Sequence, residues 1–236
     1  MIQFIPETGS TNADLAAALA RGEYRAEGNW LVADRQSAGR GRLGRAWFDG
    51  AGNFMGSCVV YLRPGDPPPA TLALVTGLAV QDTVAPRLPP PHRALLKWPN
   101  DLLVAGAKLA GILLERVADA VVVGVGVNLA AAPDLFDRAT VALSRFGPAP
   151  DRDLFATELA ASYIRELERW RNYGLAPILS RWQAAAHPLG TPLTVPVDRA
   201  PALSGTFAGL DGDGALRLTL PDGTTRTIHA GEINLA

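Results

Sequence analysis

Residues 52–62 and 118–129 are apolar at almost every position, and residues 70–85 are nearly as free of polar groups. A strand that is apolar on both faces has no solvated side and belongs in the interior of a sheet. A helix that is apolar all round must likewise be buried. The chain is thereby committed to a mixed fold of sheet and helices. With 236 residues, 48% of them hydrophobic, it is long enough to build the core this needs. No stretch reaches the roughly 18 apolar residues of a membrane-spanning helix. The first fifteen residues lack a basic segment followed by an apolar one, so no secretory signal is expected, and the expected location is the cytoplasm.

Around these stretches the pattern is regular. Residues 2–6 read as a short strand. Ser10, Thr11 and Asn12 supply helix-cap chemistry before a helix over 13–21, which Gly22 ends. Residues 29–36 read as a strand that leaves into a loop rich in glycine and arginine, 37–45. Three short strand-like segments follow, at 94–98, 101–105 and 108–117, the last two joined by a hairpin turn at Ala105-Gly106. From Asp151, the residues Phe155, Leu159, Tyr163, Leu167 and Trp170 recur at helical spacing until Gly174, and a second helix covers about 176–186. After His187-Pro188 the texture changes to strand-like runs separated by turns at 211–214 and 221–223. The expected architecture is α+β. Residues 1–187 form a mixed sheet with flanking helices, and residues 188–236 a small all-β barrel.

Charge and cysteine content narrow the function. A net charge of −1 argues against dedicated nucleic-acid binding and gives no support to a polybasic membrane surface. A single cysteine, Cys58, allows no internal disulfide, and His92, His187 and His229 lie at no metal-ligand spacing. The 22 basic residues comprise 20 Arg and two Lys, Lys97 and Lys108. Coding bias toward arginine accounts for the scarcity. Lysine persists where a compact ammonium is required, which makes both residues site candidates.

The most informative segment is Gln36 to Trp47, QSAGRGRLGRAW. Its Gly39-x-Gly41-x-x-Gly44 formally matches a dinucleotide fingerprint. That fingerprint requires a helix directly after it, whereas Trp47, Phe48 and a further loop follow here. Three guanidiniums, Arg40, Arg42 and Arg45, alternate with the glycines. The segment reads as a mobile anion clamp or, more plainly, as a solvated basic loop. The sequence G-x-x-x-x-G-K-[ST] is absent, so any nucleotide is bound without a P-loop. In KWPNDL, Pro99 exposes Asn100 and Asp101 at a turn, suited to an adenine edge and to Mg²⁺ or simply an ordinary turn. Gly111, in KLAGIL, marks a bulge or a close approach to the backbone. In VGVGVNL, Gly124 and Gly126 leave one face of a strand bare up to Asn128, either for a flat ring or for a crossing helix.

In order along the chain, GSTN at 9–12, QSAGRGRLGRAW, GNFMGS, KWPNDL, KLAGIL, VGVGVNL and the closing GEI at 231–233 resemble the biotin–protein ligases. The resemblance runs from about residue 5 to the end. It implies a sheet akin to class II tRNA synthetases with a C-terminal SH3-like barrel. It also implies a two-step reaction in which biotin and MgATP give biotinyl-5′-adenylate, which then acylates one lysine of a biotin carboxyl carrier protein. Bringing a carboxylate to a phosphate requires cations, which Arg40, Arg42, Arg45 and Lys108 supply. No Ser/His/Asp or Cys/His set is evident, in keeping with a reaction that needs no enzyme nucleophile.

Residue by residue, the resemblance puts Ser10, Thr11, Asn12 and Gln36 at the biotin ureido ring. Gly39, Arg40, Gly41 and Arg42 wrap the biotin tail and adenylate, with Arg42 retaining the intermediate. Trp47 forms part of an apolar wall, and Gly111 is among the biotin-binding residues. Lys108 binds the biotin carboxylate and then the α-phosphate. Arg45 contacts phosphate, Asn100, Gly126 and Asn128 serve ATP, and Asp101 lies near Mg²⁺. Two departures stand out. Ala107 occupies a place where many relatives carry a second cation. Thr140-Val141-Ala142, with Phe136 nearby, stands where some relatives carry an aromatic cover for adenine. Ser10 lies too near the start for a DNA-binding winged helix before it, so no operator binding is expected. Relatives dimerise through the large sheet, which makes a homodimer possible. A lipoate– or octanoate–protein ligase of related fold is the alternative.

Overall fold

The apolar stretches lie where their composition requires, in the middle of a sheet and in the helix that covers it. The computed structural model describes residues 1–197 and 200–235. β1 (Ile2–Thr8) leads into α1 (Thr11–Ala20), and β2 (Trp30–Gln36) into a long loop. β3 (Phe54–Tyr61) and α2 (Leu72–Val84) follow, then β4 (Ala94–Lys97), β5 (Asp101–Val104), β6 (Ala107–Val117) and β7 (Ala120–Val127). An irregular segment precedes α3 (Arg152–Tyr173) and α4 (Ala176–Ala185). β8 (Pro192–Val197), β9 (Ala200–Leu210), β10 (Leu216–Thr219), β11 (Thr225–Ile228) and β12 (Asn234–Leu235) complete the described chain.

The first seven strands form one sheet in the order β1-β2-β3-β7-β6-β5-β4. β1 and β2 run parallel, and every other neighbouring pair is antiparallel. The alternation of side chains divides β3 and β7 between two faces. Phe54, Cys58, Val60, Val121, Val123, Val125 and Val127 enter the main core beneath α2 and α3. Val59, Ala120 and Val122 meet Leu15 of α1 on the opposite face. Further along that face β7 carries Gly124 and Gly126, where the covering helix gives way to a cavity. Both faces are thus occupied, which is why the strands carry no polar alternation.

α2 is buried on nearly all sides, between the sheet, α3 and α4. Trp30, Phe54, Phe155 and Tyr163 interlock by edge-on and tilted contacts with centroids 5.5–5.9 Å apart. Asp151 caps α3 by accepting from the backbone N–H groups of Asp153 and Leu154. Gly174, at φ 73°, ends it. Arg171 reaches back from the last turn of α3 to Glu27 in a paired contact at 2.5 and 2.7 Å. Burial alone would raise the Glu27 carboxyl, but Arg171 and the Tyr61 N–H outweigh it and hold it below the usual range.

The last five strands form an antiparallel sheet in the order β11-β10-β9-β8-β12. It packs against the first part of the chain. Leu193, Phe207, Leu216, Leu218 and Ile233 are continuous with the main core. Gln183 of α4 accepts from the Leu210 N–H at 2.9 Å, and the Trp98 indole donates to the Gly214 carbonyl at 3.2 Å.

Most expected elements form within two residues of their predicted ends. Two details were not expected. The first helix begins at Thr11, because Ser10 adopts an extended conformation and itself caps the helix, accepting from the Ala13 N–H. Thr11 and Asn12 therefore belong to the first turn and are fixed by it. β12 has two residues, too short to show any periodicity, and it forms through its pairing with β8.

Candidate active site

A cavity of about 660 Å³ opens on the α1 face of the large sheet. Its floor is a row of positions facing each other across four strands. Lys97 of β4 pairs with Asp101 of β5, Asp101 with Gly111 of β6, and Gly111 with Gly126 of β7. The two glycines leave room for the Trp47 indole. A Cβ on Gly126 would lie 2.2 Å from that ring, and one on Gly111 2.9 Å from it. Gly124, one step along β7, makes room for α1 instead: a Cβ there would lie 2.2 Å from Asn12 Oδ1. The bare strand face thus admits both a crossing helix and a flat ring, at successive glycines.

One end of the cavity is polar, neutral and closely bonded. Gln36 Oε1 accepts from the Thr11 N–H at 2.7 Å. Thr11 Oγ1 lies 2.7 Å from Ser57 Oγ, Ser57 donates to Asn12 Oδ1 at 2.6 Å, and Asn12 Nδ2 donates to Glu115 at 2.7 Å. All four uncharged residues of this chain are buried. They come from β2, the first turn of α1 and β3, so the end is rigid before any ligand arrives.

The other end is charged, and a bulge builds it. Strict alternation along β6 would put Lys108 on the core face with Ala110 and Ile112. Instead the pairing with β5 slips between Leu102–Ala110 and Leu103–Lys108, leaving Leu109 as an extra residue. The slip turns Lys108 into the cavity beside Asp101, with Nζ donating to Oδ1 at 2.6 Å and lying 5.8 Å from the Trp47 ring centre. Lys97 sits on the same wall. Burial, reinforced by the positive charge of Lys108, holds its ammonium below the usual lysine range against the opposing pull of Asp101.

The glycine–arginine loop folds back on itself: Trp47 N–H donates to Gly39 O at 2.9 Å and Gly41 N–H to Arg45 O at 2.7 Å. Its arginines are held by protein acceptors. Arg42 donates to Asn100 Oδ1 at 3.1 Å and to the Gly231 carbonyl at 3.0 Å. Arg45 pairs with Glu232 at 2.6 Å, and Arg40 lies 3.7 Å from Glu115. Burial would raise the Glu232 carboxyl, but Arg45, with Arg42 and Arg138 nearby, brings it below the usual range. The loop therefore lies over the cavity and is tied to the segment before β12.

The structure brings Ser10, Thr11, Asn12, Gln36, Arg40, Gly41, Arg42, Arg45, Trp47, Asn100, Asp101, Lys108, Gly111, Gly126 and Asn128 to one cavity wall. Gly39 stands behind it, where a Cβ would lie 3.1 Å from Gln36 Nε2 and 3.3 Å from Trp47 O. Asn128 donates to Val141 O at 3.2 Å and leaves its buried Oδ1 without a partner among the described residues. Phe136 points fully into solvent, while Leu135 and Arg138 of the same loop line the cavity. Among the described residues no three His, Cys, Asp or Glu gather to hold a metal. No site role was assigned from the sequence to Ser57, Glu115 or Glu232, although Ser57 and Glu232 lie in the quoted GNFMGS and GEI motifs. Ser57 and Glu115 are the polar interruptions on the cavity face of otherwise apolar strands, and that signal was readable.

Comparison with known proteins agrees with this geometry. Residues 8–128 match the biotin/lipoate A/B protein ligase family, and residues 189–235 match the biotin protein ligase C-terminal domain. The biotin–[acetyl-CoA-carboxylase] ligase of Paracoccus denitrificans is 40% identical over 97% of this chain and 98% of its own length. That of Mycobacterium tuberculosis is 36% identical over 98% of this chain and 88% of its own. The biotin protein ligase of Aquifex aeolicus, solved in complex with biotin and ATP, superposes with a TM-score of 0.86 at 25% identity, covering 100% of this chain and 98% of that one. The chain belongs to the biotin/lipoate A/B protein ligase family, on its biotin–protein ligase branch.

Proposed function

We propose that this chain activates biotin with ATP and transfers it to a lysine of a biotin carboxyl carrier protein. The observation that carries the reading is a cavity with a neutral hydrogen-bonding end, an apolar middle under Trp47 and a cationic end at Lys108. Biotin has the same sequence of parts: a polar ureido ring, an apolar chain and a carboxylate. Ser10, Thr11, Asn12 and Gln36 bind the ring, and Trp47 packs over the chain. Lys108 receives the carboxylate. A carboxylate oxygen attacks the α-phosphorus of ATP, the bond to pyrophosphate breaks, and Lys108 offsets the charge that gathers as the two anions approach. Arg40 and Arg42 close over the adenylate and limit its hydrolysis, and Arg45 contacts phosphate. The carrier's lysine amine then attacks the acyl carbon and AMP leaves. No enzyme nucleophile takes part.

On this reading Asn100, Gly126 and Asn128 serve the nucleotide. The unpartnered Oδ1 of Asn128 is an acceptor of the kind that adenine's exocyclic amine requires. Leu135 and Arg138, rather than Phe136, are placed to cover the base. Mg²⁺ enters with ATP as MgATP. Asp101 offers it one carboxylate, enough where phosphates and water complete the shell.

The finer features of this reading rest partly on the family, and for location and DNA binding on the start of the sequence and its net charge. They are a sheet of the class II tRNA-synthetase kind over residues 1–187, an SH3-like barrel over 188–236, a cytoplasmic location, a possible homodimer and no DNA binding.

A lipoate or octanoate ligase is the competing reading. Both acids lack the ureido group that the neutral end is built to meet. Purified protein given ATP and equal concentrations of labelled biotin and lipoate is expected to form biotinyl-adenylate in large excess. Lipoyl-adenylate as the main product would overturn the assignment.

A further inference from the structure

We infer that Glu115 fixes the direction of hydrogen bonding at the neutral end of the cavity and so makes that end select for a ligand oxygen. The inference rests on the biotin reading for the ligand, and on proton accounting for everything else. A carboxylate only accepts, so the Asn12 group facing Glu115 at 2.7 Å must be the amide NH₂. Asn12 Oδ1 is thereby turned toward Ser57, whose hydroxyl donates to it at 2.6 Å. Ser57 has then spent its proton, and Thr11 Oγ1, 2.7 Å away, must donate to Ser57 Oγ. Thr11 Oγ1 also lies 3.0 Å from Gln36 Oε1, but it has one proton, and the shorter contact with Ser57 requires it. Gln36 is oriented independently, because its Oε1 accepts from the backbone N–H of Thr11 at 2.7 Å, a group that only donates.

Both amide orientations are therefore set by obligate partners. The protons left for the cavity come from three groups, while the unused lone pairs of the Thr11 and Ser57 hydroxyls remain as acceptors. The three are the second N–H of Asn12, the Nε2 of Gln36, and the hydroxyl of Ser10, whose oxygen already accepts from the Ala13 N–H. Three donors on residues that line one end suit a urea carbonyl oxygen, and the hydroxyl lone pairs suit its N–H groups. The same donors leave a fatty acyl or dithiolane head with unpaired buried donors, which discriminates strongly against it. Glu115 touches no ligand in this scheme and acts as a positioning residue. It also pairs with Arg40 at 3.7 Å, which ties the same carboxylate to the loop over the cavity.

Three variants test this, with biotin, octanoate and ATP affinities measured by calorimetry and Tm alongside. Glu115→Gln can present either oxygen or nitrogen to Asn12. It is expected to weaken biotin binding about tenfold, the scale of one buried hydrogen bond, while octanoate and ATP binding stay unchanged. Glu115→Asp keeps the acceptor and is expected to recover part of the loss. The double variant Asn12→Asp with Glu115→Gln restores an internal hydrogen bond with donor and acceptor exchanged. Tm should recover while biotin binding stays weak, because the Asn12 donor is gone. Wild-type biotin affinity in Glu115→Gln, an equal fall in ATP affinity, or recovery of biotin binding in the double variant each overturns the inference. Failure of the unmodified protein to bind biotin would instead overturn the functional reading on which it rests.

Discussion

Replacing Lys108 by methionine is expected to slow biotin-dependent pyrophosphate release by roughly 10²- to 10³-fold, the effect of removing one preorganised charge from a water-poor site. Methionine keeps the length and apolar stem, so the strand pairing persists; losing the pair with Asp101 should lower Tm by only a few degrees. The neighbouring cations are differently engaged: Arg42 and Arg45 by Asn100, Gly231 and Glu232, and Arg40 toward Glu115, while Lys97 lines the same wall from the edge strand. The loss should fall on the chemical step more than on biotin affinity, because the ureido end is built from other residues. Lys108→Arg is expected to rescue little. The bulge at Leu109 aims one compact ammonium at Asp101, and a planar guanidinium does not fit that geometry. Near-normal pyrophosphate release by the methionine variant would remove Lys108 from the mechanism.

Gly126→Ala is expected to have an effect of similar size by a different route. Its added methyl would stand 2.2–2.5 Å from three atoms of the Trp47 indole. The backbone cannot yield, because Gly126 is paired on both sides, to Met55 and to Gly111. The indole must lift off the floor, and the loop from Gly39 to Trp47 must move with it. A displacement of an ångström or more at reacting groups costs on the order of 10²-fold. Adenylate formation should fall by that factor while Tm stays within a few degrees, since a strand tolerates alanine at least as well as glycine. Tryptophan emission is the internal check, read as the difference that Trp47 makes among five tryptophans. Unchanged activity with an unchanged emission spectrum would mean that the ring does not need its seat on Gly126.

These two residues mark what was legible in the sequence and what was not. The sheet was readable because strands covered on both faces carry no polar alternation, and the buried helix because it is apolar all round. Most of the site was readable too, since short motifs keep Ser10 to Asn12, Arg40 to Arg45 and Asn100 to Asp101 together. The facing of Lys108 was not readable. Alternation points it into the core, and the extra residue at Leu109 that reverses it leaves no mark in composition. Nor were the long-range partners. Glu115 meets Asn12 across 103 residues, and Glu232 meets Arg45 across 187. A mobile clamp read from the glycines and arginines becomes, in three dimensions, a loop whose arginines are already held by Asn100, Gly231 and Glu232.

One cavity is expected to order biotin end to end, with the ureido ring among Ser10, Asn12 and Gln36 and the carboxylate at Lys108. A crystal structure of the protein with biotin and a non-hydrolysable ATP analogue tests it most directly. The ureido oxygen is expected within hydrogen-bond distance of Gln36 Nε2 or Asn12 Nδ2, Trp47 over the aliphatic chain, and the carboxylate between Lys108 Nζ and the α-phosphate. Biotin bound in the reverse direction, or outside the space between Trp47 and the glycine floor, would contradict it.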